Sequence, residues 1–164
     1  MTDDLSIVQA HPDDLATIIS IVEEAAHWLH RRGITGQWPL TFPPEYLAPH
    51  VAKGDYYLVL LGDQPVGTCM LLWADPEVWG DVPNDAGYVH GLAIRRSVGG
   101  RGIGRVMLRW AEQTAAAAGK RYLRLDCWGE NHELRRYYER AGFASRGVID
   151  TGGGWMCALF EKEL

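Results

Sequence analysis

No run in this 164-residue chain approaches the ~20 consecutive apolar residues that a membrane-crossing helix needs, so no membrane partner is expected. The opening residues, MTDDLSIVQA, have neither a basic start nor an apolar core. No secretory leader is therefore expected, and the expected setting is the cytoplasm. Cysteine is scarce. Cys69, Cys127 and Cys157 are odd in number and widely spaced, which excludes a disulfide framework and a zinc-ligand pattern. No cysteine–histidine pattern marks a nucleophile, and Cys69 and Cys157 lie in apolar runs that suit small core residues. Basic charge is also short. Sixteen Lys and Arg against 21 Asp and Glu leave a net charge of −5, which argues against a nucleic-acid partner. Repeats, low-complexity tracts and linkers are absent, so one domain over residues 1–164 is expected.

What basic charge exists is unevenly placed. Arg95, Arg96, Arg101, Arg105 and Arg109 crowd one short segment of an acidic chain, a pattern suited to a small polyanion. Around it, periodicity predicts a strand over residues 5–9 and a helix to about residue 30 with Asp13 or Asp14 as N-cap. A short helix over 44–53 follows, then a hairpin of strands 56–61 and 66–73. Residues 74–85 read as a Pro-, Gly- and Asp-rich loop. Beyond it come a strand over 87–94, a helix over 103–118, a strand over 122–127, a helix over 131–141, and two final strands over 143–148 and 155–161. The order implies a mixed α/β sheet with helices on both faces.

The segment leaving the strand at Ile94 collects Gly99, Gly100, Gly102 and Gly104 and enters a helix at Ile103. Glycines free the backbone to aim several N–H groups at one point, and a helix start adds unpaired N–H groups and partial positive charge. Arg101 and Arg105 add charge-assisted contacts. Such a loop is either a solvated surface turn or a phosphate site. A dinucleotide fingerprint starting at Gly102 needs glycine where Met107 stands, and no Gly-Lys-Ser/Thr follows for a nucleotide-triphosphate loop.

Residues 99–104, Gly-Gly-Arg-Gly-Ile-Gly, resemble the pyrophosphate loop R/Q-x-x-G-x-G/A of the GNAT superfamily of acyl-CoA N-acyltransferases. Gly99 departs from the usual Arg or Gln, which removes a side-chain contact but spares the amide cradle. A second segment is similar to the same family: Asn131, Tyr138 and Gly142-Phe143 fit N-x-x-A and Y-x-x-x-G-F, with Leu134 at the small position. The resemblance covers about residues 5–164 and is sharpest from 87 to 143. It implies a mixed, mostly antiparallel twisted sheet of about seven strands, with helices on both faces and a splay between strands 4 and 5. It implies acetyl-CoA as co-substrate and no metal. Leu92, Ala93 and Ile94 are then expected beside the pantetheine arm. Gly99, Gly100, Arg101, Gly102, Ile103, Gly104 and Arg105 are expected at the pyrophosphate, and Asn131 near the pantetheine or as a helix N-cap. Tyr138 is expected as the general acid for the departing thiolate.

An alkylammonium with a pKa of about 10.4 is almost wholly charged at neutral pH, so direct attack needs a base. His90 is the first candidate, with a hydrogen-bonded core histidine as its plain alternative, and Asp126 is the second. His27 and His30 are placed at the wet edge of the first helix. Trp38, Trp73, Trp79, Trp128 and Trp155 offer either an aromatic acceptor pocket or ordinary packing. The expected activity is transfer of an acetyl or short acyl group to a primary amine of a small molecule or peptide, in a ternary complex. The alternatives are an acyl-CoA-binding regulator without turnover and an aminoglycoside-type antibiotic acetyltransferase. A homodimer is among the expected partners.

Overall fold

The computed structural model describes residues 4–164, and the chain divides into two compact units interleaved in sequence. One unit comprises residues up to 71 together with 91–107; the other comprises 72–90 and 108–164.

In the first unit, β1 (Leu5–Gln9) leads into a 3-10 turn over Pro12–Asp14 and then α1 (Leu15–Arg31). Asp14 holds the N-cap position of α1, as expected, without a side-chain capping bond there, and His11 caps the 3-10 turn before it. Its ring nitrogen accepts from the Asp13 amide at 3.3 Å, and the Asp14 carboxylate accepts from the His11 amide at 2.7 Å. This reciprocal box satisfies donors that a helix start leaves open. Ile18, Ile21, Val22 and Ala25 recur at helical spacing and are buried with Leu47 and Val51 of α2 (Pro44–Ala52), Tyr56 and Leu58 of β2 (Tyr56–Leu61), and Ala93. β2 runs antiparallel to β1 and to β3 (Gln64–Leu72). Glycine at 67 is required by space: a Cβ there would stand 3.1 Å from the Ala93 carbonyl oxygen.

β4 (Ala86–Ile94), whose residues up to His90 belong to the second unit, pairs in parallel with β5 (Tyr122–Trp128), from Ala86 opposite Tyr122 to Val89 opposite Leu125. The ladder ends there, although both strands continue. β7 (Met156–Glu163) lies antiparallel along all of β5, and β6 (Ala144–Asp150) lies on the outer edge of β7. The seven strands follow the order β1-β2-β3-β4-β5-β7-β6. The helices α4 (Ile103–Ala117) and α5 (His132–Arg140) fall where periodicity placed them. The expected loop at 74–85 contains a short helix, α3 (Pro76–Trp79), that its composition hid.

β5 alternates in chemistry as strand geometry requires. Leu123, Leu125 and Cys127 are fully buried on one face, while Arg124 and Asp126 point to the other. Arg124 stands in register with Tyr88 and with Glu161, and donates to both at 2.8 Å. Glu161 also accepts two hydrogen bonds from Arg146. Segment 73–85 lies over this polar face, with Trp79 against Tyr88 and Asp85 3.7 Å from Arg124.

Burial of Glu161 by itself favours the protonated acid, but the two guanidiniums reverse this and hold its pKa below the ordinary value. A depressed carboxylate contributes stability above its unfolded pKa of about 4.3, and that contribution fades as pH falls through the folded value. Glu161→Gln should therefore cost about 3 kcal/mol in urea denaturation at pH 7, because it leaves a buried arginine without its anion. The gap from the parent protein should narrow below about pH 4, where the parent's own carboxylate becomes protonated.

Candidate active site

The glycine loop belongs to the first unit. After β4 the chain makes a 3-10 turn over Arg96–Val98 and enters α4 through Gly99–Gly102. Two of the clustered arginines are committed to the frame. Arg95 donates to Ser20 and Glu24 of α1, both at 3.0 Å. Arg96 donates to the Ile94 carbonyl and lies 4.4 Å over the Trp28 ring, which Arg32 also approaches at 4.6 Å. Arg101 and Arg105 are exposed and take part in none of the described ion pairs. Gly100 and Gly102 have φ of +76° and +77°, backbone that other residues reach only under strain. Through these two kinks, the amides of Gly100, Arg101, Gly102, Ile103 and Gly104 donate to no acceptor among the described residues. By contrast, the next amides, Arg105 and Val106, both turn back to the Gly102 carbonyl at 3.1 and 3.2 Å. A run of open donors at a helix start, flanked by two uncommitted guanidiniums, fits a diphosphate. In the expected pantetheine stretch, Ala93 is buried, Leu92 is half-buried, and the Ile94 carbonyl is already taken by Arg96.

The candidate chemical groups belong to the second unit. His90 and Asp126 are the first residues past the end of the β4–β5 ladder. His90 Nε2 stands 2.9 Å from Asp75 Oδ2, an ion-pair distance without hydrogen-bond alignment, and Nδ1 stands 3.7 Å from Asp126 Oδ1. The other oxygen of Asp126 accepts from the Cys157 thiol at 3.1 Å. Burial lowers the His90 pKa, yet the contact with Asp75 and the charges of Asp126 and Asp75 outweigh it and raise the value above 6.5. Burial also raises Asp126, against the pull of His90. His90 is thus paired in the fold, as its plain alternative expected, and its two carboxylate neighbours favour the charged ring against burial. Asp75, His90 and Asp126 offer ligand atoms all within 4.8 Å of one another, a donor set that divalent cations also accept.

Asn131 caps α5, its side-chain oxygen accepting from the Leu134 amide at 3.2 Å. Tyr138 is buried among the rings of Tyr137, Phe143 and Phe160. That burial drives its pKa far above 10, so the phenol keeps its proton at any working pH. The tryptophans have separate duties: Trp38 packs edge-on against Phe42, Trp79 covers Tyr88, and Trp73 lies under Lys120. His30 is bonded to the Trp38 carbonyl oxygen, while His27 is exposed.

Sequence reasoning missed Asp75 and the contact of Cys157 with Asp126. Asp75 precedes Pro76 and reads as a turn residue. Cys157 sits in an apolar run, and only the β5–β7 register turns it toward a carboxylate.

Comparison with known proteins follows the same lines. Residues 22–143 match the profile of the acetyltransferase (GNAT) family. The uncharacterised N-acetyltransferase YesJ of Bacillus subtilis is 29% identical over 160 residues, covering 93% of this chain and 86% of that protein. A GNAT-family acetyltransferase of Listeria monocytogenes superposes with a TM-score of 0.82 at 25% identity, covering 98% of this chain and 95% of that one. An acetyltransferase of Salmonella typhimurium, solved with acetyl-CoA, superposes at 0.72 with 16% identity, covering 99% of this chain and 95% of that one.

The pairing of His90 is open to measurement. Its imidazole should titrate above 6.5 by NMR, and Asp75→Asn should lower that value. By linkage, the stability His90 adds is complete below about pH 6.5 and is lost as pH rises through the raised value. A titration that Asp75→Asn leaves unmoved would remove the carboxylate from the account.

Proposed function

Because the chain belongs to the acetyltransferase (GNAT) family, we propose that this acetyltransferase moves an acetyl group from acetyl-CoA to a primary amine of a small molecule or peptide. The attack is direct, within a ternary complex. The observation that carries the reading is the row of open amides at Gly100–Gly104, between the end of β4 and the first turn of α4.

Those amides, with Arg101 and Arg105, would hold the pyrophosphate of the co-substrate, and Arg101 offsets the side-chain contact missing at Gly99. Residues 92–94 would run beside the pantetheine arm through the Leu92 backbone groups and the Ile94 amide, in the manner of an added strand. Acetyl-CoA supplies an activated thioester carbonyl, which a backbone N–H near Leu92–Ile94 would polarise. Asn131 would serve the pantetheine while capping α5. His90 takes the proton that frees the amine's lone pair. Tyr138, kept protonated by its burial, gives its proton to the thiolate. A phenol with so high a pKa is a weak acid, so proton transfer must accompany C–S cleavage rather than precede it.

Thiol release from acetyl-CoA across a panel of amines tests the activity. Binding with no turnover on any amine would instead favour an acyl-CoA-binding regulator. Tyr138→Phe should lower kcat about 100-fold with unchanged affinity for coenzyme A; an unaltered kcat would take the phenol out of the chemistry. Gly102→Val should abolish coenzyme A binding. A Cβ at Gly102 meets nothing in the protein, and Gly147 shares that open space and a positive φ. Gly147→Val therefore controls for backbone strain alone. Equal affinity in the two variants would place the phosphates elsewhere.

A further inference from the structure

Four buried side-chain atoms have no hydrogen-bond partner among the described residues: Asp75 Oδ2, Trp79 Nε1, Asp85 Oδ1 and Asp126 Oδ1. Leaving polar atoms buried and unpartnered is costly, so each needs a cause. Asp85 Oδ1 has one in its ion pair, 3.7 Å from the Arg124 guanidinium. Trp79 Nε1 carries no charge, and its ring lies 5.0 Å from that same guanidinium. The remaining two are carboxylate oxygens, and both turn to one imidazole. Asp75 Oδ2 stands 2.9 Å from His90 Nε2, and Asp126 Oδ1 stands 3.7 Å from His90 Nδ1.

Charge separates this cluster from its neighbour on the same sheet face. There, Arg124 and Arg146 face Glu161 and Asp85, two cations against two anions. Asp75 and Asp126 meet no arginine or lysine in any described ion pair, and their common neighbour is His90. The Asp75 side chain is nine-tenths buried, and Asp126 keeps only 13% of its exposure. Two carboxylates beside a neutral imidazole place two negative charges where water screens them poorly. A divalent cation cancels both.

The three residues are also spaced as ligands, all within the second unit. One donor atom from each lies within 4.8 Å of the other two. Bonds of about 2.0–2.2 Å set neighbouring ligands of a tetrahedral ion about 3.3 Å apart. His90 Nε2 and Asp75 Oδ2, at 2.9 Å and not aligned for a hydrogen bond, already stand near that spacing. Cys157 settles which oxygen of Asp126 is offered. Its thiol donates to Oδ2 at 3.1 Å, which leaves Oδ1 toward the ring. One nitrogen with two oxygens suits Zn2+, Co2+ or Mn2+ better than Mg2+ and Ca2+, which take oxygen sets.

We propose that Asp75, His90 and Asp126 bind one divalent transition-metal ion of the zinc class, through one ring nitrogen and an oxygen of each carboxylate. Three protein donors leave a further position open to water. The ion takes no part in acyl transfer, and the site does not depend on the acetyltransferase reading. Its consequence does rest on that reading: the ion occupies the imidazole that serves as base, so the metal-loaded protein is the silent form.

The test uses the intact protein, stripped with EDTA and desalted. CoCl2 should give visible absorption that saturates at one ion per chain. ZnCl2 should displace the cobalt, and MgCl2 at the same concentration should not. Asp75→Asn and Asp126→Asn, close in size to the parent residues, should each weaken zinc binding at least about tenfold in competition with a chromophoric chelator. Circular dichroism checks that both remain folded. His50→Gln removes a different imidazole–carboxylate contact, 2.8 Å from Asp55 in the first unit, and should leave the affinity unchanged. No cobalt signal, equal zinc affinity in the two Asn variants and the parent, or a loss confined to His50→Gln would overturn the site. Amine-dependent thiol release by the stripped protein would still leave the acetyltransferase reading standing. With the site filled, zinc should slow that release about 100-fold and EDTA should restore it. Zinc bound through these residues without slowing release would keep the site and remove His90 as the base.

Discussion

The parallel ladder between β4 and β5 stops at Val89 and Leu125, and the chemistry of the second unit follows from that stop. Side chains on paired strands are fixed by their neighbours in register. Those just beyond the last pair keep the strand's direction but lose the partner that would satisfy them. His90 and Asp126 occupy that first step beyond, on the polar face of the sheet. Gly91, with φ of +58°, follows His90 at once and turns the chain away from regular strand geometry. His90 therefore sits where the β4–β5 ladder has ended and one step before a left-handed glycine, although β4 itself runs on to Ile94.

The two faces of β5 show how one strand serves stability and chemistry together. Leu123, Leu125 and Cys127 join Phe160 in the core, each essentially without exposure. The alternate residues, Arg124 and Asp126, meet a carboxylate-rich covering segment instead. Arg124 is matched and is structural. Asp126 meets the Cys157 thiol and the His90 ring instead. Two residues on one strand, with the same orientation and similar burial, divide because of what stands opposite: Glu161 faces the first in register, and Leu159 faces the second.

Much of this was legible in the sequence, and the reasons differ by element. The helices and strands could be read because their apolar positions keep a period. The glycine loop could be read because its residues are needed for their backbone freedom, which is written in residue type alone. His90 and Asp126 were visible as candidates because each lies on a strand bordering the loop region. Asp75 was not, because its meeting with His90 depends on how segment 73–85 folds back, and no period governs a loop. The fate of the arginines was equally hidden. Five clustered in the sequence, yet Arg95 and Arg96 turn inward to Glu24, Ile94 and Trp28, leaving Arg101 and Arg105 outward at the loop and Arg109 exposed on α4. Composition shows that a charge is present but not which neighbour claims it.

The ring cage around Tyr138 has a consequence for the conditions under which the protein can work. Burial among Tyr137, Phe143 and Phe160 opposes ionisation of this phenol as the medium becomes alkaline, so in the proposed reaction it would set no upper limit. At His90 the contact with Asp75 and the charge of Asp126 outweigh burial and favour the charged imidazole, so in the proposed reaction the lower limit falls to this group. On that proposal the two groups would impose a floor and no ceiling, and a decline in strongly basic solution would come from unfolding or from the reactants.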